Sequence, residues 1–170
     1  MTTLILINGC GGAGKDTTGR LLLKSLPKAA LLDIKGLSLF HPWEYSDFQV
    51  GLTNAASLVR NYCDVGYPSI IFSGGLNSQE RIDFFTSLIP ESVSLKYFWL
   101  DVPKSQRDIR RIDRRRDDGD QAHYLDAIDE VFTDPGTLTI RNCAFERVEA
   151  AQLSPQQVMD KIKTKLNTGK

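Results

Sequence analysis

The sequence predicts an α/β fold with three layers, in which a central parallel sheet of about five strands lies between two layers of helices. Apolar runs alternate with helical patterns from one end of the chain to the other, which is typical of parallel strands joined by crossover helices. The first run, residues 3–7, is apolar at nearly every position, as expected of a strand covered on both faces. At 170 residues, 41% of them hydrophobic, the chain is long enough for one domain, residues 1–170, to bury a full core.

The alternating patterns give each element its expected bounds. We expect strands at residues 3–7, 29–34, 69–73, 94–102 and 137–140. We expect helices at residues 15–26, 47–65, 78–88, 104–116 and 124–132, followed by a last amphipathic helix that begins at Pro155. Pro27, Gly66 and Pro90 follow the first three helices, as is typical of residues that end a helix. Helices therefore connect one strand to the next, as a parallel sheet requires.

A glycine-rich loop, residues 9–17 (GCGGAGKDT), connects the first predicted strand to the first predicted helix. Between a strand and a helix, such a loop indicates phosphate binding. Glycines allow positive φ angles and bring backbone N–H groups around phosphate oxygens, while the amino end of the helix adds partial positive charge. We therefore expect the loop and the start of the helix to bind ATP through Gly11, Gly12, Ala13, Gly14, Lys15, Asp16, Thr17 and Thr18.

Lys15 is the catalytic candidate in this loop. Its ammonium is placed to reach the outer phosphates and to neutralise charge on the group in transfer. The residue after the lysine is normally a Ser or Thr that holds Mg²⁺, but here it is Asp16. Asp16 could bind the metal directly or through water, or Thr17 could supply the hydroxyl, and the sequence leaves these alternatives open.

Two segments of the chain resemble known kinases. Residues 14–18 (GKDTT) resemble the loop of deoxynucleoside monophosphate kinases, and residues 12–15 (GAGK) are similar to that of adenylate and thymidylate kinases. Residues 69–82 are similar to the third strand and following helix of that group, in which an acidic residue commonly ends the strand; here Ser73 stands in its place. The resemblance implies a P-loop NTPase fold and ATP-dependent phosphorylation of a nucleotide or a similar small acceptor.

An arginine-rich run, residues 107–116, follows the fourth predicted strand, where the lid over the nucleotide lies in this superfamily. Four of its arginines share one helical face at spacings of three and four residues: Arg107, Arg110, Arg111 and Arg114. A planar guanidinium donates two parallel hydrogen bonds to phosphate oxygens. We expect a lid at about residues 104–125, in which Arg110 and Arg114 bind ATP and Arg114 also acts in catalysis. The alternative is a solvated helix whose arginines pair with neighbouring aspartates.

Asp33, at the end of the second predicted strand, is the main candidate on the acceptor side. Ligands of doubly wound sheets bind beyond the carboxyl ends of the strands, so Asp33 faces the same crevice as the glycine loop. It could deprotonate an acceptor hydroxyl, or hold metal-bound water or a sugar, or lie in a surface turn. With Asp16, it could also compensate for Ser73. We expect the acceptor to contact Arg60 and Arg81, with weaker candidates at Lys35, His41, Trp43 and Tyr45.

Charge and cysteine content argue against other classes of protein. Lys plus Arg and Asp plus Glu each number 21, so the net charge is zero, and nucleic acid is not an expected partner. The apolar runs are too short to span a bilayer or to serve as a signal peptide, so no membrane association is expected. The three cysteines show neither metal spacing nor an even disulfide set, which favours a reducing, cytoplasmic compartment.

Together these features predict a P-loop kinase that uses ATP and Mg²⁺ to phosphorylate a small-molecule acceptor. The leading acceptor is a nucleoside or deoxynucleoside monophosphate. One alternative keeps the fold and phosphorylates a hydroxyl of a sugar, an antibiotic, a metabolite or a nucleic-acid end, with Asp33 as the base. A second alternative, suggested by Ser73, is a nucleotide-binding or switch protein without catalytic activity.

Overall fold

The computed structural model describes residues 1–37, 48–113, 135–141 and 143–167. The strands of its sheet are β1 (Thr3–Asn8), β2 (Ala29–Asp33), β3 (Ser69–Ser73), β4 (Ser94–Asp101) and β5 (Ala144–Glu149). All pair in parallel, in the order β2-β3-β1-β4-β5. The central strand, β1, therefore has β3 on one side and β4 on the other. This parallel sheet confirms the predicted fold class.

The helices connect these strands as the sequence predicts. They are α1 (Lys15–Ser25), α2 (Ile34–Leu37), α3 (Phe48–Asp64), α4 (Gln79–Ser87), α5 (Lys104–Asp113) and α6 (Pro155–Asn167). Ile34, predicted to end the second strand, begins the short helix α2 instead. Ser154 caps α6 by accepting a hydrogen bond at its Oγ from Gln157 N–H at 3.3 Å, in agreement with the expected start of that helix.

Two hydrophobic cores lie on the two faces of the sheet and produce the three layers. In β1, Leu4 and Leu6 point to the face covered by α3 and α4, whereas Ile5 and Ile7 point to the face covered by α1 and α6. The helices complete these cores with fully buried side chains: Val59 and Phe85 on the first face, Leu22 and Ile162 on the second. Complete burial of a side chain of this kind stabilises the fold by about 1.5–3 kcal/mol.

The predicted fifth strand at residues 137–140 is wrong. A short 3₁₀ turn, Pro135–Thr137, stands at its start, and Thr139 pairs with a side chain instead of a strand. Its N–H donates to Gln79 Oε1 at 2.9 Å, and its carbonyl accepts from Gln79 Nε2 at 2.9 Å. The fifth strand is instead β5. Its charged residues interrupt the apolar pattern in the sequence, and in the structure they form ion pairs at the edge of the sheet. Arg147, for example, pairs with Asp101 at 2.5 Å.

Several predictions fall outside the described residues. These are the helix at residues 124–132, the last three residues of the helix at 104–116, most of the lid at 104–125, and the aromatic candidates His41, Trp43 and Tyr45. Among the helices that the structure describes, none has both the length and the apolar character needed to cross a membrane.

Candidate active site

The glycine loop lies at the carboxyl end of the central strand, between β1 and α1. Gly14 occupies the N-cap position of α1 with φ of 97°, a left-handed conformation that favours glycine, and it has no side chain to cap the helix. The first hydrogen bond of the helix runs from Thr18 N–H to the Gly14 carbonyl at 2.9 Å. The N–H groups before Thr18 therefore face the loop, which is the arrangement that binds phosphate at a helix amino end.

The Lys15 side chain reaches back across this loop. Its Nζ donates to the Gly9 carbonyl at 2.7 Å and to the Cys10 carbonyl at 3.0 Å. The exit of β3 lies beside it, since a Cβ added at Gly74 would be 3.5 Å from Lys15 Cε. The Lys15 ammonium, the only positive side-chain group of the loop, therefore lies inside the loop. Gly74, which has no side chain, lies next to it.

Two buried arginines of α5 hold the other side of the loop. Arg107 donates to the Gly11 carbonyl at 3.2 Å and to the Val102 carbonyl at 3.0 Å, and Arg111 donates to the Gly11 carbonyl at 3.0 Å. These arginines are 6% and 7% exposed. The backbones also meet, because a Cβ at Gly12 would lie 2.9 Å from the Arg107 carbonyl oxygen. Two members of the predicted arginine face therefore position the loop through its backbone.

Arg110, on the same helix, points to a different part of the edge. Its guanidinium donates to the carbonyls of Ala150 at 3.4 Å and Ala151 at 3.2 Å, which follow β5. It thereby joins α5 to the segment between β5 and α6. Arg114, the predicted catalytic arginine, lies outside the described residues.

Asp16 is the acidic residue of the first turn of α1 and contacts two other elements. Its Oδ1 accepts a hydrogen bond from Ser73 Oγ at 3.2 Å, and its Oδ2 lies 3.4 Å from Lys35 Nζ. Burial pushes the pKa of the Asp16 carboxyl upward, but the charges of Lys35 and Lys15 and the Ser73 hydrogen bond outweigh burial and hold this pKa below its ordinary value. Asp16 is thus a carboxylate at neutral pH. Thr17 is half-buried beside it and Thr18 is buried.

Asp33 and Ser73 lie side by side at the carboxyl edge, because they are register partners in the pairing of β2 with β3. Ser73 is also the partner of Ile7, the residue before the end of β1. Asp33 Oδ1 accepts from Lys35 N–H at 3.1 Å, while its Oδ2 makes no hydrogen bond to any residue that the structure describes. The sheet therefore brings Asp33 to the edge that carries the loop, as predicted.

The two arginines predicted on the acceptor side lie at opposite ends of α4. Arg81 is in the first turn, next to the carboxyl edge, and its guanidinium carbon lies 4.6 Å from the Phe48 ring centroid. Arg60 instead donates to the Leu88 carbonyl at 2.8 Å, just after α4 ends. Since α4 runs from the carboxyl edge back toward the start of β4, this contact places Arg60 away from the loop.

A buried polar cluster below the loop is absent from the sequence predictions. The Asn8 amide and the Tyr97 hydroxyl both donate to the Leu76 carbonyl, the latter at 2.9 Å, and the Asn8 amide also donates to the Tyr97 hydroxyl. Burial, together with the nearby Cys143 thiol, raises the pKa of Tyr97 well above its ordinary range, so its hydroxyl stays protonated and able to donate. This cluster fixes the turn after β3 against β1. Isolated polar residues in apolar strands were its only sequence signal.

The donors present fit a metal that is held mainly by nucleotide phosphates. Among the described residues, no group of three or more His, Cys, Asp or Glu residues could hold a metal ion. Mg²⁺ in phosphate-transfer sites typically keeps several waters and takes one or two carboxylates from the protein. Asp16, at the start of α1, supplies a carboxylate of this kind beside the loop.

The fold matches solved structures over almost the whole chain, although no family model and no curated protein sequence matches it. A sugar kinase from Janibacter sp. HTCC2649 has a TM-score of 0.77 and 17% identity, with 99% of this chain and 96% of that chain covered. The chain has the fold of a P-loop kinase. The APS kinase CysC of Mycobacterium tuberculosis, in complex with AMPPNP and APS, also matches this kinase fold. Its TM-score is 0.68 and its identity 14%, and the match covers 98% of each chain. For shikimate kinase from Acinetobacter baumannii, in complex with shikimate, the TM-score is 0.61 and the identity 18%, over 100% of this chain and 96% of that one.

Proposed function

We propose that this protein is an ATP-dependent phosphotransferase whose acceptor is a hydroxyl group of a small molecule. The observation that carries the proposal is the position of Asp33, register partner of Ser73, at the same sheet edge as the loop that holds Lys15. A carboxylate in this position can take the proton of a hydroxyl while the loop holds the phosphates.

The parts of the site have separate roles in the proposed reaction. The loop N–H groups and Lys15 bind the phosphates and offset the charge that develops on the group in transfer. The acceptor hydroxyl gives its proton to Asp33, its oxygen bonds to the γ-phosphorus, and the bond from that phosphorus to the leaving ADP oxygen breaks. Mg²⁺, when bound, would neutralise charge on the phosphates, with Asp16 as its carboxylate. Arg107 and Arg111 keep the loop in shape by holding Gly11.

The comparisons support a hydroxyl acceptor at the level of fold. Three of the matching structures are named as a sugar kinase, an APS kinase and a shikimate kinase, and the APS kinase was solved with AMPPNP, an ATP analogue. A nucleoside monophosphate, the leading acceptor of the sequence analysis, remains a second candidate because of the loop string at residues 14–18. Its support is reduced by Arg60, one of two arginines expected to bind a monophosphate, which binds Leu88 instead.

Replacing Asp33 distinguishes the two acceptor classes. If Asp33 is the base for a hydroxyl, Asp33→Asn should lower kcat by about 10²- to 10⁴-fold with AMPPNP affinity unchanged. ADP release would be measured with a panel of sugars, polyols, hydroxy acids and nucleoside monophosphates. Asp64→Asn, at the exposed end of α3, is the matched control and should retain parental turnover. Full turnover of Asp33→Asn on a monophosphate would contradict the proposal, and so would ADP release that no acceptor stimulates.

A further inference from the structure

The contact between Asp16 and Ser73 joins the two positions at which P-loop enzymes usually build their metal site. In such enzymes the residue after the loop lysine is a Ser or Thr that contacts Mg²⁺, and an aspartate at a strand end completes the site. Here the loop position is Asp16 and the strand end is Ser73. Their side chains are joined by a hydrogen bond of 3.2 Å from Ser73 Oγ to Asp16 Oδ1.

Building on the proposed function, we propose that the hydroxyl and the carboxylate of the metal site have exchanged places in this protein. Asp16 supplies the carboxylate that binds Mg²⁺ through Oδ2, and Ser73 orients it by donating to Oδ1. The pair keeps one carboxylate and one hydroxyl, so Ser73 does not leave the site without an acidic group.

Burial and backbone geometry support this assignment. Ser73 is 1% exposed and is fixed by pairing with both Ile7 and Asp33, and Gly74 N–H donates to the Ile7 carbonyl at 2.9 Å. The Ser73 backbone is therefore held in place on both sides, and its hydroxyl donates to the charged Asp16 carboxylate. A hydrogen bond from a buried hydroxyl to a carboxylate is short-ranged and directional, so it sets the orientation of the carboxylate plane.

The second oxygen of Asp16 is already next to a positive charge. Its Oδ2 lies 3.4 Å from Lys35 Nζ, whose side chain is 69% exposed. An exposed lysine is held weakly at such a contact and can move into solvent. Lys35 therefore marks a place where a cation is favoured and where Mg²⁺ can replace an ammonium without displacing a buried group.

Metal affinity, measured separately from turnover, tests the exchange. Mn²⁺, as a spectroscopic substitute for Mg²⁺, would be titrated by electron paramagnetic resonance into protein saturated with AMPPNP, and AMPPNP affinity would also be measured without metal. Asp16→Ser should weaken Mn²⁺ binding by about 10- to 100-fold while metal-free AMPPNP affinity is retained. Asp16→Asn, which keeps the side-chain shape, should give the same loss and guards against a folding defect.

The decisive variant restores the usual arrangement of the two groups. Asp16→Ser combined with Ser73→Asp should return Mn²⁺ affinity to within about threefold of the parent. In this double variant the carboxylate is at position 73 and the hydroxyl at position 16, so the contact between the two positions keeps one of each group. Asp16→Ser combined with Ser78→Asp is the matched control. It adds the same charge at the cap of α4, where Ser78 accepts from Arg81 N–H, and should leave the loss uncorrected.

Three results would overturn the inference. In the first, Asp16→Ser keeps parental Mn²⁺ affinity and only Thr17→Val loses it. In the second, adding Ser73→Asp to Asp16→Ser does not restore Mn²⁺ binding. In the third, adding Ser78→Asp to Asp16→Ser restores Mn²⁺ binding equally well. The proposed function fails in a different way, which Mn²⁺ affinity does not report: Asp33→Asn then keeps full turnover on a monophosphate, or no acceptor stimulates ADP release. Loss of the metal assignment alone leaves nucleotide binding and acceptor-stimulated ADP release intact.

Discussion

Lys15 is held by the carbonyls of Gly9 and Cys10, so its charge is already inside the loop before any phosphate arrives. A preplaced ammonium needs little rearrangement at the moment of reaction, which is the condition under which electrostatic stabilisation is most effective. From this position the Lys15 charge also helps to hold the pKa of the Asp16 carboxyl below its ordinary value.

Removing this ammonium should abolish most of the catalysis. Lys15→Ala is expected to lower kcat by about 10²- to 10³-fold, since it deletes one charged donor at the transferring group. Lys24→Ala, in the exposed last turn of the same helix, is the control and should behave as the parent. Steady-state ADP release measures both variants, and far-ultraviolet circular dichroism checks that they fold. Parental turnover in Lys15→Ala would refute its role.

At the residue scale, the sequence predicted the position of the loop and of the arginine face better than it predicted which atoms their side chains contact. The spacing of Gly14 and Lys15 after an apolar strand was enough to place the loop, because phosphate loops depend on local backbone geometry. The contact of Arg60 with Leu88 depends on how α3 packs beside α4, which no local pattern encodes. The same holds for Arg107 and Arg111, whose spacing showed a common face but not that this face meets the Gly11 carbonyl.

At the scale of elements, α5 and the glycine loop form one packed unit. Gly12 has φ of 85°, and an added methyl would lie 2.9 Å from the Arg107 carbonyl oxygen. Any side chain at this position must push α5 away from the loop or distort the loop backbone. The geometry of the phosphate site therefore depends on the position of a helix that begins about ninety residues later in the chain.

Gly12→Ala should therefore destabilise the protein and weaken nucleotide binding together. We expect a loss of about 1–3 kcal/mol in the free energy of unfolding, from backbone strain at positive φ and from the close contact. Gly36→Ala is the matched control, because φ there is not positive and none of the described residues would lie within 4 Å of the added methyl. Urea unfolding and AMPPNP titration measure the two effects. Unchanged stability in Gly12→Ala would mean that α5 is not packed against the loop.

Among the elements, β1 to β4 were predictable from their apolar or alternating patterns, and β5 was not. Strands that are covered on both faces need apolar residues at nearly every position, so their pattern is strong. The edge strand β5 carries Glu146 and Arg147, whose charges are satisfied by Lys165 and Asp101. Residues 137–140 (TLTI) misled the prediction because they are residue types that favour strands, and Leu138 is buried in the core without belonging to one.

For the whole molecule, ligand binding at the sheet edge should raise the unfolding temperature. At a concentration 100 times its Kd, AMPPNP should add about 2.7 kcal/mol to stability. For a protein of this size, that corresponds to an increase in Tm of roughly 5–11 °C. Adenosine, which lacks phosphates, is the control and should give a much smaller increase, and Lys15→Ala should reduce the effect of AMPPNP. Equal shifts with adenosine and AMPPNP would show that the loop does not hold the phosphates.

The strand order has a consequence for how the protein is made. The neighbours of β1 in the sheet are β3 and β4, so the first eight residues find their partners only after Ser73 and Asp101 have been synthesised. A nascent chain of which only the first two strands have been synthesised has a glycine loop that lacks β3 on one side and β4 on the other. A truncated chain ending before β4 should not be retained on immobilised ATP, and capture of the nascent chain should begin only after β4 has left the exit tunnel.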